Sequence, residues 1–214
     1  MLTRSRLAPT PSSLLHYGNL FNFVLTTIET RRRGGTLLLR IDDLDAIRAR
    51  EAYVDDIFST LRALGFAWDA GPANIDDFRS THSQALKSAS YHAFLDRFPG
   101  YAYSCSRQQI KARTDALYDG HCRDRGLSRV KGQTQWRVRS DSPKNDLVLW
   151  RKEDLPAYHL VSLQEDLSAR INLIVRGEDL RESTEQQKRL ANMLGDAGRP
   201  FLDRKSTRLN SSHT

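Results

Sequence analysis

Apolar positions in this chain change period along its length, and the changes mark out its elements. Leu20, Phe23, Val24 and Ile28 recur at i, i+3, i+4 and i+8, the spacing of one helical face. Arg31, Arg32 and Arg33 suit the negative end of that helix, and Gly34–Gly35 stop it. The run TLLLRI (36–41) is instead continuously apolar, as in a strand buried on both faces of a parallel sheet, and it breaks off in DDLD. Val54, Ile57, Phe58, Leu61 and Leu64 restore the helical period and predict a second helix over 50–64, closed by Gly65. Further helical stretches cover 80–97 and 183–194. Residues 4–10, 146–150 and 171–177 read as strands, the first running into a Pro9–Pro11 turn. Strands alternating with helices across short turns predict βαβ units, and so an α/β fold with a doubly wound parallel sheet.

Residues 101–146 break that rhythm. Few are apolar, both cysteines lie there, and a basic stripe runs through Arg123, Arg125, Arg129, Lys131, Arg137 and Arg139. The expected plan is a first half of the main domain over 1–98, a small insertion over 99–146 and a second half over 147–203. The last stretch, RKSTRLNSSHT (204–214), is polar and aperiodic and reads as a non-native tail outside the fold.

With 214 residues the chain is long enough for one domain with a sizeable core and an insertion. No apolar run approaches the ~18 residues of a membrane span. The start, MLTRSRLAPTPSS, lacks the apolar centre of a signal peptide, so the expected location is the cytoplasm. Two cysteines, Cys105 and Cys122, are too few for a disulfide framework. The formal charge of +7 falls to +4 once Arg204, Lys205 and Arg208 are set aside with the tail, a mild lean towards a polyanionic partner such as nucleic acid.

The stretch RLAPTPSSLLHYGN (6–19) concentrates candidate chemistry. It sets His16, Gly18 and Asn19 where the first strand hands over to the first helix. A helix N-terminus offers unpaired N–H groups and partial positive charge, a natural seat for phosphate. Gly18 has no Cβ to hold a nucleotide off the backbone. An imidazole there can donate to a phosphate oxygen as charge builds on it. Taken alone, His16 also reads as an exposed residue at a helix start.

RLAPTPSSLLHYGN resembles the first signature of class I aminoacyl-tRNA synthetases in the form used by the glutamyl branch, Arg-x-Ala-Pro-Ser-Pro-Thr-Gly followed by Leu-His-x-Gly-Asn. LLLRIDDLDAIRARE (37–51) is similar to the branch's Leu-Arg-Ile-Glu-Asp-x-Asp segment, and WDAGP (68–72) to its Trp-Asp-Glu-Gly-Pro. YDGHCR (118–123) looks like the end of its zinc-binding insert, and LPAYHLVSLQEDLSARINLIVRGEDLRESTEQQ (155–187) like a long stretch of its second half. The likeness runs over 4–203 in the expected order. It implies a Rossmann-like catalytic domain of HUP type with a small zinc-finger-like insertion.

Members of the branch convert glutamate and ATP, with Mg2+, into glutamyl-adenylate and pyrophosphate, and then transfer glutamate to tRNA. The resemblance implies that Arg6 and Arg176 bind substrate carboxylates, each such bond being worth ~1.5–3 kcal/mol. Asp42, where the branch has glutamate, would receive the ammonium with a reach one methylene shorter, and Tyr158 would supply a hydroxyl. Ala8 and Thr10 complete the implied glutamate site. Pro9, His16, Gly18, Asn19, Gly177 and Asp179 make the implied ATP site, His16 and Asn19 being the catalytic pair that acts by positioning and electrostatics. One at a time, Arg6 and Arg176 also read as strand-end charges, Asp42 as a turn former and Tyr158 as packing. RGEDLRESTEQQ also reads as a helix start capped by Ser183 or Thr184.

In its insertion the branch commonly supplies four zinc ligands, Cys-x-Cys and Tyr-x3-Cys. Here Tyr103 stands in place of the first cysteine, leaving Cys105, Tyr118 and Cys122 as implied ligands of a structural zinc, one thiolate short of a closed tetrahedral site. The other reading is two free thiols side by side. Arg123, Arg125, Arg129, Lys131 and Arg137 correspond to a region that meets the tRNA acceptor end, where contacts go to phosphate; as bare charges they also read as a solvated face. Two acceptors fit. The short link from YDGHCR to DLVLW, and the wording DLPAYHLVSLQEDL, look like the members that attach glutamate to the queuosine base of tRNA(Asp), whereas ordinary members charge tRNA(Glu). A non-catalytic nucleotide- or tRNA-binding paralogue and a nucleotidylyltransferase are the readings from other classes. The branch closes ATP under a Lys-Met/Leu-Ser-Lys loop, and the family-like sequence stops near GRPFLD (198–203), so a monomeric fragment of low activity is expected.

Overall fold

The computed structural model describes residues 2–44, 50–114, 117–198 and, by backbone alone, 205–209. In chain order the elements are β1 (Arg4–Leu7), α1 (Tyr17–Arg31), β2 (Thr36–Leu39), α2 (Glu51–Ala63), α3 (Ile75–Asp77), α4 (Ser88–Leu95), β3 (Gly100–Tyr103), α5 (Arg107–Arg113), β4 (Gln135–Val138), β5 (Val148–Trp150), α6 (Tyr158–Ser168), β6 (Leu173–Gly177), α7 (Arg181–Met193) and β7 (Lys205–Leu209). They divide between two compact units, Met1–Ser88 with Glu165–Thr214, and Ala89–Gln164.

In the first unit β1, α1 and β2 form the expected parallel crossover, with Arg4 opposite Thr36 and Leu7 opposite Leu39. β1 ends at Leu7, short of the expected 4–10, because Pro9 has no N–H to give a ladder. Successive carbonyls of an extended strand face opposite edges. Leu7 O and Pro9 O accept from Arg40 N and Asp42 N on the β2 side, at 2.9 and 2.8 Å, while Arg4 O accepts from Asn172 N at 3.0 Å. Ser5 Oγ donates to Leu173 O, so β1 lies between β2 and β6. β7 runs parallel to β6, with Leu173 opposite Lys205. Residues 205–209, inside the stretch expected to be a tail, thus lie along β6. The outer edge of an apolar strand needs partners for its N–H and C=O groups, and an extended segment supplies them whatever its side chains.

Leu7, Leu37, Leu39 and Ile41 pack with Phe23, Ile57, Phe58 and Leu61 in the core of this unit. α1 begins at Tyr17, earlier than its apolar period predicts, and turns a different face inward: Phe23, Thr26 and Thr30 are buried, whereas Val24 and Ile28 are exposed. The threonines can sit inside because their hydroxyls donate one turn back, Thr26 to Asn22 O at 2.7 Å and Thr30 to Thr26 O at 2.6 Å. The WDAGP stretch returns along β2, where Leu39 N donates to Ala70 O at 2.9 Å and Asp69 Oδ2 accepts from Leu37 N at 2.7 Å. Gly71 has φ +98°, and a Cβ there would stand 2.0 Å from Leu39 O, so only glycine fits.

In the second unit β3, β4 and β5 form an antiparallel sheet, with Gly100 opposite Val138 and Trp136 opposite Trp150. Residues 146–150, expected to rejoin the parallel sheet, pair with the insertion instead, and this unit is wider than 99–146. The short connection from β4 to β5 permits an antiparallel pair, whereas a parallel one needs a long crossover. Tyr101, Tyr103, Ile110, Tyr118 and Cys122 form its buried cluster. No helix among the described residues is long and apolar enough to cross a membrane.

Candidate active site

Arg40 sits within an apolar strand-end run, where an unpaired guanidinium would be costly. Two carboxylates hold it. Nη1 donates to Asp166 Oδ1 at 2.7 Å, and Nε and Nη2 donate to Asp42 Oδ1 and Oδ2 at 2.6 and 3.1 Å. Asp166 Oδ1 also accepts from Arg6 Nε at 3.1 Å. Asp166 is wholly buried and both arginines nearly so. Burial pulls the Arg40 pKa down, but the charges of Asp42 and Asp166 outweigh it and hold Arg40 above the ordinary arginine value. Gln84 Nε2 adds a bond to Asp42 Oδ1 at 3.0 Å. Asp43, next to it, accepts from Ser83 Oγ and Gln84 N at 2.5 and 2.8 Å, and burial raises its carboxyl pKa.

On β6, beside β1, the buried Arg176 donates from Nη1 to Gln187 Oε1 at 2.6 Å and to Thr184 Oγ1 at 3.3 Å. Both acceptors belong to α7. That helix starts at Arg181 after a turn over Glu178–Leu180, so neither Ser183 nor Thr184 caps it; Thr184 Oγ1 donates to Leu180 O inside the helix. Asp179 folds back over Gly177, whose missing Cβ makes room for it. Arg6, Asp42 and Arg176 thus stand at the carboxyl ends of neighbouring strands, the edge where open α/β sheets take their ligands. Pro9 is buried there, Ala8 half-buried and Thr10 exposed.

His16 is the N-cap of α1. Its Nδ1 accepts from Gly18 N at 3.1 Å, and Asn19 Oδ1 accepts from His16 N at 3.3 Å, a reciprocal capping box. An accepting Nδ1 puts the proton of the neutral imidazole on Nε2. The first turn of α1 carries no acidic residue, so the helix itself does not neutralise its positive end. His16→Ala is expected to cost about 0.5–1 kcal/mol through the lost cap and to lower the melting temperature by roughly 1–4 °C, as scanning calorimetry of the two chains would read.

Tyr158 opens α6 in the second unit, exposed, with its ring against His159. In that unit Cys105 Sγ and Cys122 Sγ are 3.3 Å apart. Two Zn–S bonds of about 2.3 Å at a tetrahedral angle would hold them about 3.8 Å apart. The other implied donors do not converge on them. Tyr118 Oη is turned to Cys122 N, from which it accepts at 2.8 Å, and burial pushes its phenol up to about 12. Tyr103 is packed edge-on against Tyr118, with the Arg137 guanidinium 4.3 and 4.6 Å from the two ring centres. His121, next to Cys122 in sequence, turns its Nε2 to Arg125 Nη1 at 3.3 Å. Among the described residues no three His, Cys, Asp or Glu side chains form a metal-holding group, so the donor set does not fit a structural zinc.

The basic stripe splits in two. Arg123 is locked to the buried Asp146, Arg137 covers the tyrosines and donates to Asp146 O at 2.8 Å, and Arg139 pairs with Asp124 at 2.9 Å. Arg125, Arg129 and Lys131 are exposed. Arg123 and Arg137, expected to meet phosphate, instead hold this unit together.

The sequence reading gives no role to Arg40, Asp166, Gln84 or Gln187. Two of them carry a signal that could have found them: Arg40 is a charge inside an apolar run, and Asp166 continues the Leu160–Leu163 face at helical spacing.

Residues 3–134 match the family described as tRNA synthetases class I (E and Q), catalytic domain, and the chain belongs to that family. Two of its curated relatives are named glutamyl-Q tRNA(Asp) synthetase. The one from Synechococcus sp. (strain CC9605) is 37% identical over 204 residues, covering 91% of this chain and 66% of the relative. The one from Methylococcus capsulatus is 33% identical over 215 residues, covering 90% and 68%. A solved glutamate-tRNA synthetase from Elizabethkingia anophelis superposes with a TM-score of 0.76 over 98% of this chain and 50% of that one, a likeness of fold at 19% identity. The chain spans about two thirds of the length of the curated relatives it matches.

Proposed function

We propose that this chain activates L-glutamate with Mg–ATP, giving glutamyl-adenylate and pyrophosphate, and passes the glutamyl group to the queuosine base of tRNA(Asp). The supporting observation is the identity of 31–37% over about nine tenths of the chain to relatives named for that reaction. Arg6 and Arg176 are the cations for the substrate carboxylates. Asp42 is the anion for its ammonium: of roughly four acceptor positions on a carboxylate, Arg40 and Gln84 take three, leaving one on Oδ2. A shorter side chain fixed by a bidentate partner suits this task better than a free one, because its position is set before the substrate arrives. The α-carboxylate attacks the α-phosphate and pyrophosphate leaves. His16 Nε2–H and the N–H groups at the start of α1 steady the growing negative charge, and little acid–base work is needed. Arg125, Arg129 and Lys131 are the exposed cations for tRNA phosphates, a contribution that weakens as salt rises.

The test is transfer of labelled glutamate by the full gene product to tRNA(Asp) with and without queuosine and to tRNA(Glu). Label is expected only in the queuosine-containing acceptor. Labelling of tRNA(Glu) alone would assign the chain to an ordinary glutamate-tRNA ligase. Arg6→Ala is expected to raise the glutamate KM about ten- to a hundredfold, the loss of one charge-assisted bond, and an unchanged KM would remove Arg6 from the site.

A further inference from the structure

The residues around Cys105 and Cys122 do not make a zinc site, and what they do make has a chemistry of its own. The two sulfurs are 3.3 Å apart, Cys122 fully buried and Cys105 partly open to solvent. Arg113 Nη2 lies 3.3 Å from Cys105 Sγ, and the Arg137 guanidinium covers the rings of Tyr103 and Tyr118 in the same cluster. A cation therefore already stands beside Cys105, held there by Asp119 at 2.7 Å, and it opposes a dication in the same place. Tyr103 fills the position of the first expected thiolate with a buried ring.

We infer that Cys105 and Cys122 are a dithiol that hydroperoxides oxidise to an internal disulfide. A disulfide needs its sulfurs about 2.05 Å apart, so the pair closes by a small shift. Access sets the order. The Cys105 thiolate attacks one oxygen of hydrogen peroxide; the O–O bond breaks, Cys105 becomes a sulfenic acid, and the released hydroxide takes a proton to leave as water. The Cys122 sulfur, already alongside, then attacks the Cys105 sulfur. The S–S bond forms, the S–O bond breaks, and the hydroxide leaves as a second water with the Cys122 proton. Two thiols are oxidised and one peroxide is reduced. The product ties the end of β3 to the segment after α5, closing the loop between residues 105 and 122.

The experiment uses the whole chain, purified with reductant, then desalted and treated with hydrogen peroxide. Metal analysis is expected to find negligible zinc. Thiol titration in denaturant is expected to fall from two groups to none, with an intact mass lower by two hydrogens and a Cys105–Cys122 cross-linked peptide that dithiothreitol reverses. Cys105→Ser and Cys122→Ser should each abolish that mass loss. One zinc per chain that shields both thiols from peroxide would overturn the inference. So would oxidation that adds oxygen, joins two chains, or leaves both thiols titratable.

Discussion

Asp166→Ala is expected to lower the stability of the chain by about 3–5 kcal/mol, the cost of removing one partner from a buried ion pair. Asp166 is wholly buried, and its Oδ1 accepts from Arg6 Nε at 3.1 Å and Arg40 Nη1 at 2.7 Å. Alanine leaves both guanidinia facing a cavity, and neither can neutralise itself, since arginine keeps its proton at any ordinary pH. Arg40 retains Asp42, so the loss falls most heavily on Arg6. Urea unfolding at neutral pH measures it, and the melting temperature should drop by roughly 6–20 °C in a chain of this size. Asp166→Asn, which keeps an acceptor but not the charge, should lie between wild type and alanine. The decisive comparison is a double-mutant cycle: in an Arg40→Met background the cost of Asp166→Ala should shrink by at least about 1 kcal/mol, because the two side chains are in contact. Additive effects would show that Arg40 and Asp166 do not depend on each other.

That cluster also marks what could and could not be read from the sequence. The parallel crossover from β1 to β2 was legible because TLLLRI reads as a buried strand and a helical stretch stopped at Gly34–Gly35 separates it from the strand at the start of the chain. The face of α1 was not. Val24 and Ile28 carry the period, yet Thr26 and Thr30 go inside, because a hydroxyl bonded to a carbonyl one turn back has no polar need left to expose. β5 has three residues, too few for any period to choose a partner strand, so its pairing with β4 was settled by connection length. Motif likeness singles out Arg6, Asp42 and Arg176, and the βαβ order accounts for the ends of β1 and β2 lying side by side but not for β6, whose preceding strand pairs within the other unit. Arg40 and Asp166 escaped because their roles are relational: the bond between them spans 126 positions of sequence, and no local pattern points to it. The basic stripe failed in the opposite way. Spacing along the chain cannot tell Arg123, tied to a buried carboxylate, from Arg125, which faces solvent.

The second unit has its own buried carboxylate, and it should control how that unit responds to acid. Asp146 accepts from Arg123 Nε and Nη2 at 2.8 and 2.6 Å, from Tyr101 Oη at 2.5 Å, and from Ser140 N and Oγ at 2.9 and 2.8 Å. Burial alone would raise its pKa, but Arg123, Tyr101 and Ser140 together hold it below the usual carboxylate value. Tyr101 is driven up by burial and by Asp146 itself, so it remains a donor across the ordinary pH range. With its folded pKa below the unfolded value of about 3.9, Asp146 binds its proton more readily when the chain is unfolded. Its contribution is therefore complete above about pH 5 and is lost as pH falls through the folded value, below about pH 4. Asp146→Ala is expected to cost about 3 kcal/mol at neutral pH, since it strands Arg123 and the Ser140 donors. The difference between wild type and variant should then narrow as pH drops below about 4. Trp136 and Trp150 lie opposite each other in this unit, Trp150 fully buried, so their fluorescence reports its unfolding. A gap that stays constant down to pH ~3 would mean that Asp146 keeps an ordinary pKa and acts only through packing. A gap absent at neutral pH would mean that Arg123 finds another anion and that the carboxylate is not what holds the unit.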